Sequence, residues 1–99
     1  MKYIIIPHFI LENHKLSSTE KIIMGIIYSL SIKNKVCFAS NSYFANRLKV
    51  SNRTVTSSIS KLRKEGYIYI EMNDNSRKIY LTEVCKNSSI CIENYFYDG

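Results

Sequence analysis

The sequence predicts an α+β fold in which three helices are followed by a small antiparallel sheet. Apolar residues recur at helical spacing in three stretches between residues 17 and 66. Beyond residue 66, two runs alternate between apolar and polar residues with a period of two, which is typical of strands. Residues that favour turns separate the two runs, so we expect them to form a hairpin.

The first helix is predicted to open at residue 17. Ser17 and Glu20 have the spacing of a capping box, in which each side chain bonds the backbone N–H of the other residue. The apolar residues that follow recur at helical spacing and form a wide stripe. They are Ile22, Ile23, Ile26, Ile27 and Leu30. This stripe marks the main helix of the core.

Two shorter helices are predicted between residues 40 and 66. Ser40 and Ser51 precede them and are favourable N-cap residues, and Gly66 follows the second as a stop. The apolar residues that face inward are Phe44, Ala45 and Leu48 in the first and Val55, Ile59 and Leu62 in the second. Only residues 49–51 lie between the two helices, which leaves room for a turn. This is the pattern of a helix-turn-helix.

The opposite face of the second short helix is polar and basic. At helical spacing it carries Arg53, Ser57, Ser60 and Lys64, flanked by Thr54, Thr56 and Lys61. No acidic residue interrupts this face before Glu65. Since such a face can enter the major groove, the sequence predicts double-stranded DNA as the partner.

The predicted hairpin has the character of a wing. Its strands are residues 67–71 and 77–82, and its tip is Asn73-Asp74-Asn75-Ser76. We expect Ile68, Ile70, Ile79 and Leu81 to face the helices, and Arg77 and Lys78 to project outward. Tyr67 and Tyr69 should point away from the helices and pack on the N-terminal segment or a partner. With a third strand at residues 36–38, the element order predicts a winged helix-turn-helix.

Candidate DNA contacts on the helices follow from this arrangement. Arg53 lies where a recognition helix first reaches base edges or phosphates. Asn52 and Thr54 lie beside Arg53 at the start of the helix. They are expected to reach phosphates or base edges, or to serve mainly in capping. Ser57, Ser60, Lys61 and Lys64, with Thr56 beside them, are expected mainly at phosphates. Ser40, Asn41 and Tyr43 open the preceding helix, whose N-terminus commonly lies against a phosphate, although capping explains Ser40 equally well.

The wing supplies the remaining candidates. Arg77, with Asn73 and Asn75, is expected to enter a narrow minor groove, and Lys78 lies beside it. The alternative is a solvated hairpin tip. The chain is rich in Ile, Lys and Asn, whose codons are AT-rich, so the expected target DNA is AT-rich as well.

Composition limits the classes of function. The 99 residues, of which 45% are hydrophobic, suffice for one domain. The net charge of +6 favours a polyanion, and most of the basic residues lie near the helix-turn-helix and wing. No phosphate loop, paired acid and base carboxylates or nucleophile motif is present, so we expect neither an enzyme nor a cofactor.

A run of three isoleucines ended by Pro7 is too short for a signal peptide or a membrane span, which predicts a cytoplasmic protein.

The cysteines and histidines do not form a metal-binding pattern. Cys37, Cys85 and Cys91 are odd in number and irregularly spaced, and they have no second ligand pair. His8 and His14 fall in a connector and lack a ligand spacing. We therefore expect structural cysteines and no metal site.

Both ends of the chain are apolar. We divide it into an arm (residues 1–16), the winged helix-turn-helix domain (17–82) and a tail (83–99). The arm carries Tyr3, Ile4, Ile5, Phe9, Ile10 and Leu11, and the tail carries Ile90, Ile92, Tyr95 and Phe96. These residues must pack on the domain or on a second subunit. This surplus of apolar residues at both ends predicts a homodimer, with the tail as a dimerisation segment.

Several runs also resemble a family. They are residues 37–45 (CFASNSYFA), 50–55 (VSNRTV), 59–62 (ISKL) and 65–68 (EGYI), with Leu16-Ser17-Ser18-Thr19-Glu20-Lys21 upstream. They look like the winged helix-turn-helix domain of phage and plasmid DNA-binding proteins, of the replication-initiator or replisome-organiser type, over roughly residues 4–82. The resemblance implies an accessory protein of a mobile element, similar to plasmid relaxosome factors. Such a protein marks an origin of transfer or replication, and a relaxase or a replication protein is the further partner. A transcriptional repressor and, less favoured, a protein-binding winged helix are the alternatives.

Overall fold

The computed structural model describes residues 3–74, 76–83, 85 and 92–96. In chain order the elements are β1 (Tyr3–Pro7), α1 (His8–Leu11), α2 (Ser18–Asn34), α3 (Asn41–Leu48), α4 (Asn52–Lys64), β2 (Ile68–Asn73), β3 (Ser76–Leu81) and β4 (Ile92–Phe96). β2 pairs antiparallel with β3, and β1 pairs antiparallel with β4. Within the described residues no helix is long and apolar enough to span a bilayer.

The predicted helix starts are confirmed. Ser17 accepts from the Glu20 N–H at 3.2 Å while Glu20 Oε1 accepts from the Ser17 N–H at 2.8 Å, which completes the capping box. Ser40 and Ser51 cap α3 and α4, each accepting at 3.1 Å from the N–H three residues ahead. These bonds satisfy donors that the first helical turn leaves without a partner. Gly66 has a φ of +87°, so it ends the α4 region in a conformation that glycine adopts easily.

One core joins the three long helices to the hairpin. Ile23, Ile26 and Ile27 of α2 are completely buried, as is Phe44 of α3. The predicted apolar stripe of α4 is confirmed, because Val55, Ile59 and Leu62 are all at most 4% exposed. From the hairpin, Ile68, Ile79 and Leu81 complete the cluster, and Ile70 packs against it. The core therefore fixes which face of α4 points to solvent.

The hairpin closes over a two-residue turn. Its register runs from Ile68 opposite Leu81 to Asn73 opposite Ser76. Asp74, the first turn residue, has a φ of +53°, as tight hairpin turns require.

The predicted third strand at residues 36–38 is reduced to a single bridge. Cys37 exchanges two backbone hydrogen bonds with Ile79, at 3.0 and 2.9 Å. In this antiparallel register Ala39 lies across from Arg77, where a longer strand would make its next pair. There the Ala39 carbonyl accepts instead from the Arg77 side chain, at 2.7 Å. A side chain thus takes an acceptor that a strand partner would use.

The arm packs on the domain, which was one of the two alternatives. Ile4 and Ile6 of β1 are buried against α2, where Gly25 leaves space for them. The Ile5 N–H donates to Ser29 Oγ of α2 at 2.8 Å. The backbone of the tail pairs with β1 over residues 92–96, from Tyr3 opposite Phe96 to Pro7 opposite Ile92. Ile4 is therefore not part of an exposed apolar surface that a second subunit could cover. Ile90 lies outside the described residues.

Candidate nucleic-acid interface

The outward face of α4 carries the side chains that remain available to a partner. Arg53, Ser57, Ser60 and Lys64 are all exposed, as their angular positions opposite the core stripe require. None of the four side chains hydrogen-bonds or ion-pairs with another residue in the described part of the chain. Asn52, at the start of the helix, is also exposed. The face is basic, and its polar groups are free to bind a partner.

Arg63 belongs to the same surface, although sequence reasoning missed it. It is exposed and follows Thr56 by seven residues, which is about two helical turns. The spacing that selected Thr56 as a flanking residue therefore also selects Arg63. Its side chain lines two depressions, one on each side of it.

The two depressions differ in their walls. The larger, of about 480 Å³, lies along α4 and is lined by Ser57, Ser60, Lys61, Arg63 and Lys64. The smaller, of about 160 Å³, lies between α4 and the hairpin and is lined by Asn41, Thr56, Ile59, Ser60, Arg63, Ile70 and Arg77. We call the smaller one the helix–wing groove. Together the two depressions are lined by four basic side chains, three of them from α4, and by the hydroxyl-bearing residues Thr56, Ser57 and Ser60.

The expectation that Arg77 projects outward from the wing tip is wrong. Side chains alternate along a strand, so Arg77 shares the inner face of β3 with Ile79, and Lys78 takes the other face. One Nη of Arg77 donates to Asn41 Oδ1 at 2.7 Å, and the other donates to the Ala39 carbonyl at 2.7 Å. Burial lowers the pKa of the Arg77 guanidinium from its ordinary value. Arg77 therefore ties the wing to the start of α3.

Asn41 and Thr56 extend this connection to α4. Asn41 Nδ2 donates to Thr56 Oγ1 at 3.1 Å, and the Thr56 hydroxyl donates to the Asn52 carbonyl at 2.9 Å. A hydroxyl has a single hydrogen to donate, so that of Thr56 is already used inside the protein. Both residues were predicted to contact DNA. The structure instead joins them in one chain of bonds with Arg77, which crosses three elements.

Three more predicted contacts have internal bonds. Ser40 and Thr54 take part in helix capping, Thr54 through its N–H and its hydroxyl, which lies 3.0 Å from Ser51 Oγ. Lys61 Nζ donates to the Lys15 carbonyl at 3.1 Å, which joins the end of α4 to the residues before α2. An ammonium has three hydrogens, so Lys61 keeps donors for a second acceptor.

The tyrosines fall into separate surroundings. Tyr43 lies edge-on to Phe44, with the Arg47 guanidinium 6.0 Å from its ring centroid. Tyr67 packs on the arm as expected, since its ring lies 5.9 Å from that of Phe9 and its hydroxyl accepts from Asn13 Nδ2. Tyr69, 44% exposed, stacks on Tyr80 at 5.0 Å. Of the tyrosines named here, Tyr43 is the one predicted to reach DNA, and it borders an apolar groove with Leu30 and Phe38.

The wing tip presents fewer side chains for DNA contact than the sequence predicted. Asn73 is exposed beside the turn, whereas Lys78 is half-buried and lies opposite Glu71 in the register. Asn75 lies outside the described residues. With Arg77 turned inward, the expected arginine at the tip is missing from the part of the wing that the structure describes.

The described cysteines are buried. Cys37 and Cys85 are at most 1% exposed and form no disulfide, and Cys91 lies outside the described residues. Burial raises the pKa of both thiols, that of Cys85 to about 11. Among the described residues no three His, Cys, Asp or Glu side chains lie together as a metal site would require.

A family model described as a helix-turn-helix domain matches residues 14–68, which is more than half of the chain and includes α2, α3 and α4. The chain belongs to this family. Helix-turn-helix proteins place their second helix in the major groove of DNA, and here that helix is α4. A search of curated proteins finds no match.

Two solved structures share the fold. A cysteine-to-serine mutant of ZitR from Lactococcus lactis superposes with a TM-score of 0.57 at 22% identity, over 79% of this chain and 51% of that chain. The adhesin competence repressor AdcR from Streptococcus pyogenes gives a TM-score of 0.54 at 23% identity, over 82% of this chain and 57% of that one. This chain therefore spans little more than half of either structure. With β2 and β3 as the wing, the fold is an α+β winged helix-turn-helix.

Proposed function

We propose that the protein binds double-stranded DNA with α4 in the major groove and regulates transcription. The observation that carries the proposal is the outward face of α4, where Arg53, Ser60 and Lys64 are exposed and have no partner among the described residues. An α-helix fits the width of the major groove, and arginine pairs well with guanine there. Membership of a helix-turn-helix family supports the same partner.

Arg53 and Arg63 have different expected roles on this face. Arg53 is in the first turn of α4, where base edges are reached first, so it is the proposed base-reading residue. Arg63, near the other end, borders the helix–wing groove and is a proposed phosphate contact. Ser57, Ser60 and Lys64 are the further proposed contacts to the phosphates of the DNA backbone.

The regulatory role is the more specific part of the proposal. One structural neighbour is described as a repressor, which favours a transcriptional role for this chain. The second candidate is an accessory protein that marks an origin of transfer or replication. The resemblance of several sequence runs to phage and plasmid proteins supports this candidate. Relaxase or replication partners belong to that candidate, whereas a preference for AT-rich DNA is proposed with either role. Footprinting on the native replicon separates the two, because a repressor protects a promoter and an accessory protein protects an origin.

The proposal includes pairing of two copies on DNA and a cytoplasmic location. A single recognition helix contacts only a few base pairs, and two copies on adjacent half-sites gain affinity together. Such half-sites lie about one helical turn, roughly 34 Å, apart.

Fluorescence anisotropy with a footprinted duplex tests DNA binding. We expect Arg53→Ala to weaken specific binding by about 1–3 kcal/mol while the melting temperature stays unchanged, because Arg53 lies outside the core. Lys33→Ala, which removes the same charge from an exposed position on α2, is the control and should have little effect. Affinity should fall steeply with salt, since phosphate contacts release counterions. Equal affinities of wild type and Arg53→Ala would remove α4 as the reading element, and salt-independent capture of a protein would favour the protein-binding alternative.

A further inference from the structure

We propose that Arg77 is a positioning residue that sets the angle between the wing and the recognition helix, and that it does not itself contact DNA. Its guanidinium bonds Asn41 and Ala39, and Asn41 in turn bonds Thr56 of α4. We call this chain of bonds the wing clamp. The inference rests on the proposed function, because it assigns a role to a residue within the same interface.

The wing has few attachments to the segment that precedes α3. Its only backbone pairing with the segment before α3, among the described residues, is the bridge between Cys37 and Ile79. Beyond this bridge, the distal half of the hairpin has no backbone hydrogen bond to that segment among the described residues. Arg77 lies two residues nearer the tip and reaches Ala39, which is two residues nearer α3. The guanidinium therefore adds a second attachment point, so that the hairpin is held at two places.

The same chain of bonds reaches α4. Asn41 uses both ends of its amide, with Oδ1 accepting from Arg77 and Nδ2 donating to Thr56. The Thr56 hydroxyl donates a hydrogen bond to the Asn52 carbonyl in the first turn of the helix. A movement of the wing would therefore displace the first turn of α4, which also carries Arg53. These bonds hold the wing and the first turn of α4 in one relative position.

The bonds of Arg77 differ in their chemistry from a phosphate contact. A phosphate contact depends mainly on positive charge, and lysine binds phosphates as a point charge. The wing clamp requires two donors that diverge from one planar group toward two separate neutral acceptors, and lysine lacks that fork. Arg63 lines the same groove but is exposed and has no partner among the described residues, so it is a matched control for the phosphate role.

The test compares Arg77→Ala, Arg77→Lys, Asn41→Ala, the double variant Arg77→Ala/Asn41→Ala and Arg63→Ala by anisotropy on one duplex across a salt series. We expect Arg77→Ala to lose affinity by about tenfold at every salt concentration, with the slope of log K against log salt unchanged. Arg77→Lys should restore none of the loss. Arg63→Ala should lower the slope by about 0.9, as expected for one lost phosphate contact. The double variant should bind no worse than the weaker single variant, because both changes break one chain of bonds.

Three results would overturn the proposal: rescue by Arg77→Lys, a slope reduced by about 0.9 in Arg77→Ala, or additive losses in the double variant. Thermal melts accompany every variant. If Arg77→Ala fails to fold, Arg77→Lys and Asn41→Ala carry the comparison, because both keep a cation at position 77.

NMR of the free protein separates this inference from the proposed function. The Nη protons of Arg77 should give resolved, slowly exchanging signals that Asn41→Ala averages. Averaged signals in the wild type, beside normal DNA binding, would overturn the wing clamp alone. Resolved signals in a wild type that binds no duplex would overturn the proposed function, and with it the role of Arg77 in DNA binding.

Discussion

Adjacent residues of α4 have opposite environments, and mutation should separate them. Ile59 and Leu62 are buried in the core, whereas Ser57 and Ser60 are exposed. We expect Ile59→Ala and Leu62→Ala each to lower the free energy of unfolding by about 2–5 kcal/mol, because each leaves a cavity. Ser57→Ala and Ser60→Ala should change it by less than about 0.5 kcal/mol. Urea denaturation measures all four, and unchanged stability in both core variants would mean that the assignment of faces is inverted.

The buried thiol of Cys85 predicts a loss of stability at alkaline pH. Its Sγ donates to the Tyr67 carbonyl at 3.3 Å, and burial raises its pKa from 9.0 to about 11. The folded protein thus holds this proton at pH values where the unfolded chain releases it. The resulting stability is complete below pH 9 and is lost as the pH rises through about 11.

Melting temperatures between pH 7 and 11 test this expectation. Cys85→Ser keeps a hydrogen-bond donor but does not titrate in this range, so its melting temperature should fall less steeply than that of the wild type. Part of the decline should remain, because burial raises the pKa of Cys37 and of Tyr28 as well. Parallel curves for the two proteins would exclude Cys85 as a source of the pH dependence.

For the residues of α4, exposure to solvent could be predicted from the sequence but hydrogen-bond partners could not. The angular position of Arg53 relative to Val55, Ile59 and Leu62 was sufficient to place it in solvent. For Thr56 the same argument gave the right exposure but missed its bonds, since its partner Asn41 is fifteen residues away and on another helix. Arg77 was misplaced because the alternation of β3 was applied to Ile79 and Leu81 and not carried on to residue 77.

At the scale of elements, the contact between β1 and α2 depends on one missing side chain. A Cβ at Gly25 would lie 2.7 Å from Ile6 Cγ1 and 3.0 Å from Ile4 Cδ1. In an ordinary helix interior, glycine to alanine gains about 0.5–1 kcal/mol. Here the overlap costs about 1–3 kcal/mol, as overpacking does, so Gly25→Ala should be destabilising on balance.

A double-mutant cycle with Ile6→Ala checks the cause. Ile6→Ala removes the overlapping atom, so its cost should be smaller in the Gly25→Ala background than in the wild type. Urea denaturation of the four proteins gives the coupling. Stabilisation by Gly25→Ala alone would show that β1 does not seat on α2 at this point.

Elements with local signals were predictable, and those with distant partners were not. Each of the three long helices is indicated by a serine cap and an apolar stripe within its own sequence, and the hairpin by alternation around a turn. β1 was described only as an apolar arm, because its pairing partner β4 lies about ninety residues away along the chain. The strand expected at residues 36–38 was overestimated, since nothing in that segment reveals that the Arg77 side chain takes the Ala39 carbonyl.

On the scale of the whole molecule, the two ends of the chain cover each other. β1 packs on α2 with Ile4 and Ile6 buried, and β4 pairs along the edge of β1. An unpaired strand edge is a template for association with another chain, so β4 protects β1 from such pairing. The apolar arm therefore gives less support to a dimer in free solution than the sequence suggested, and the proposed pairing of copies is assigned to the DNA-bound state.

Sedimentation of the full chain and of a chain ending at Glu83 tests this view. We expect the full chain to be monomeric without DNA, and two copies to assemble on a duplex with paired half-sites. The shortened chain loses β4 and the buried Cys85, so it should melt at a lower temperature and self-associate through the bare edge of β1. A stable dimer of the full chain in free solution, with a monomeric and folded shortened chain, would instead identify the tail as the dimerisation segment. The two arrangements predict opposite changes on truncation, so one experiment decides between them.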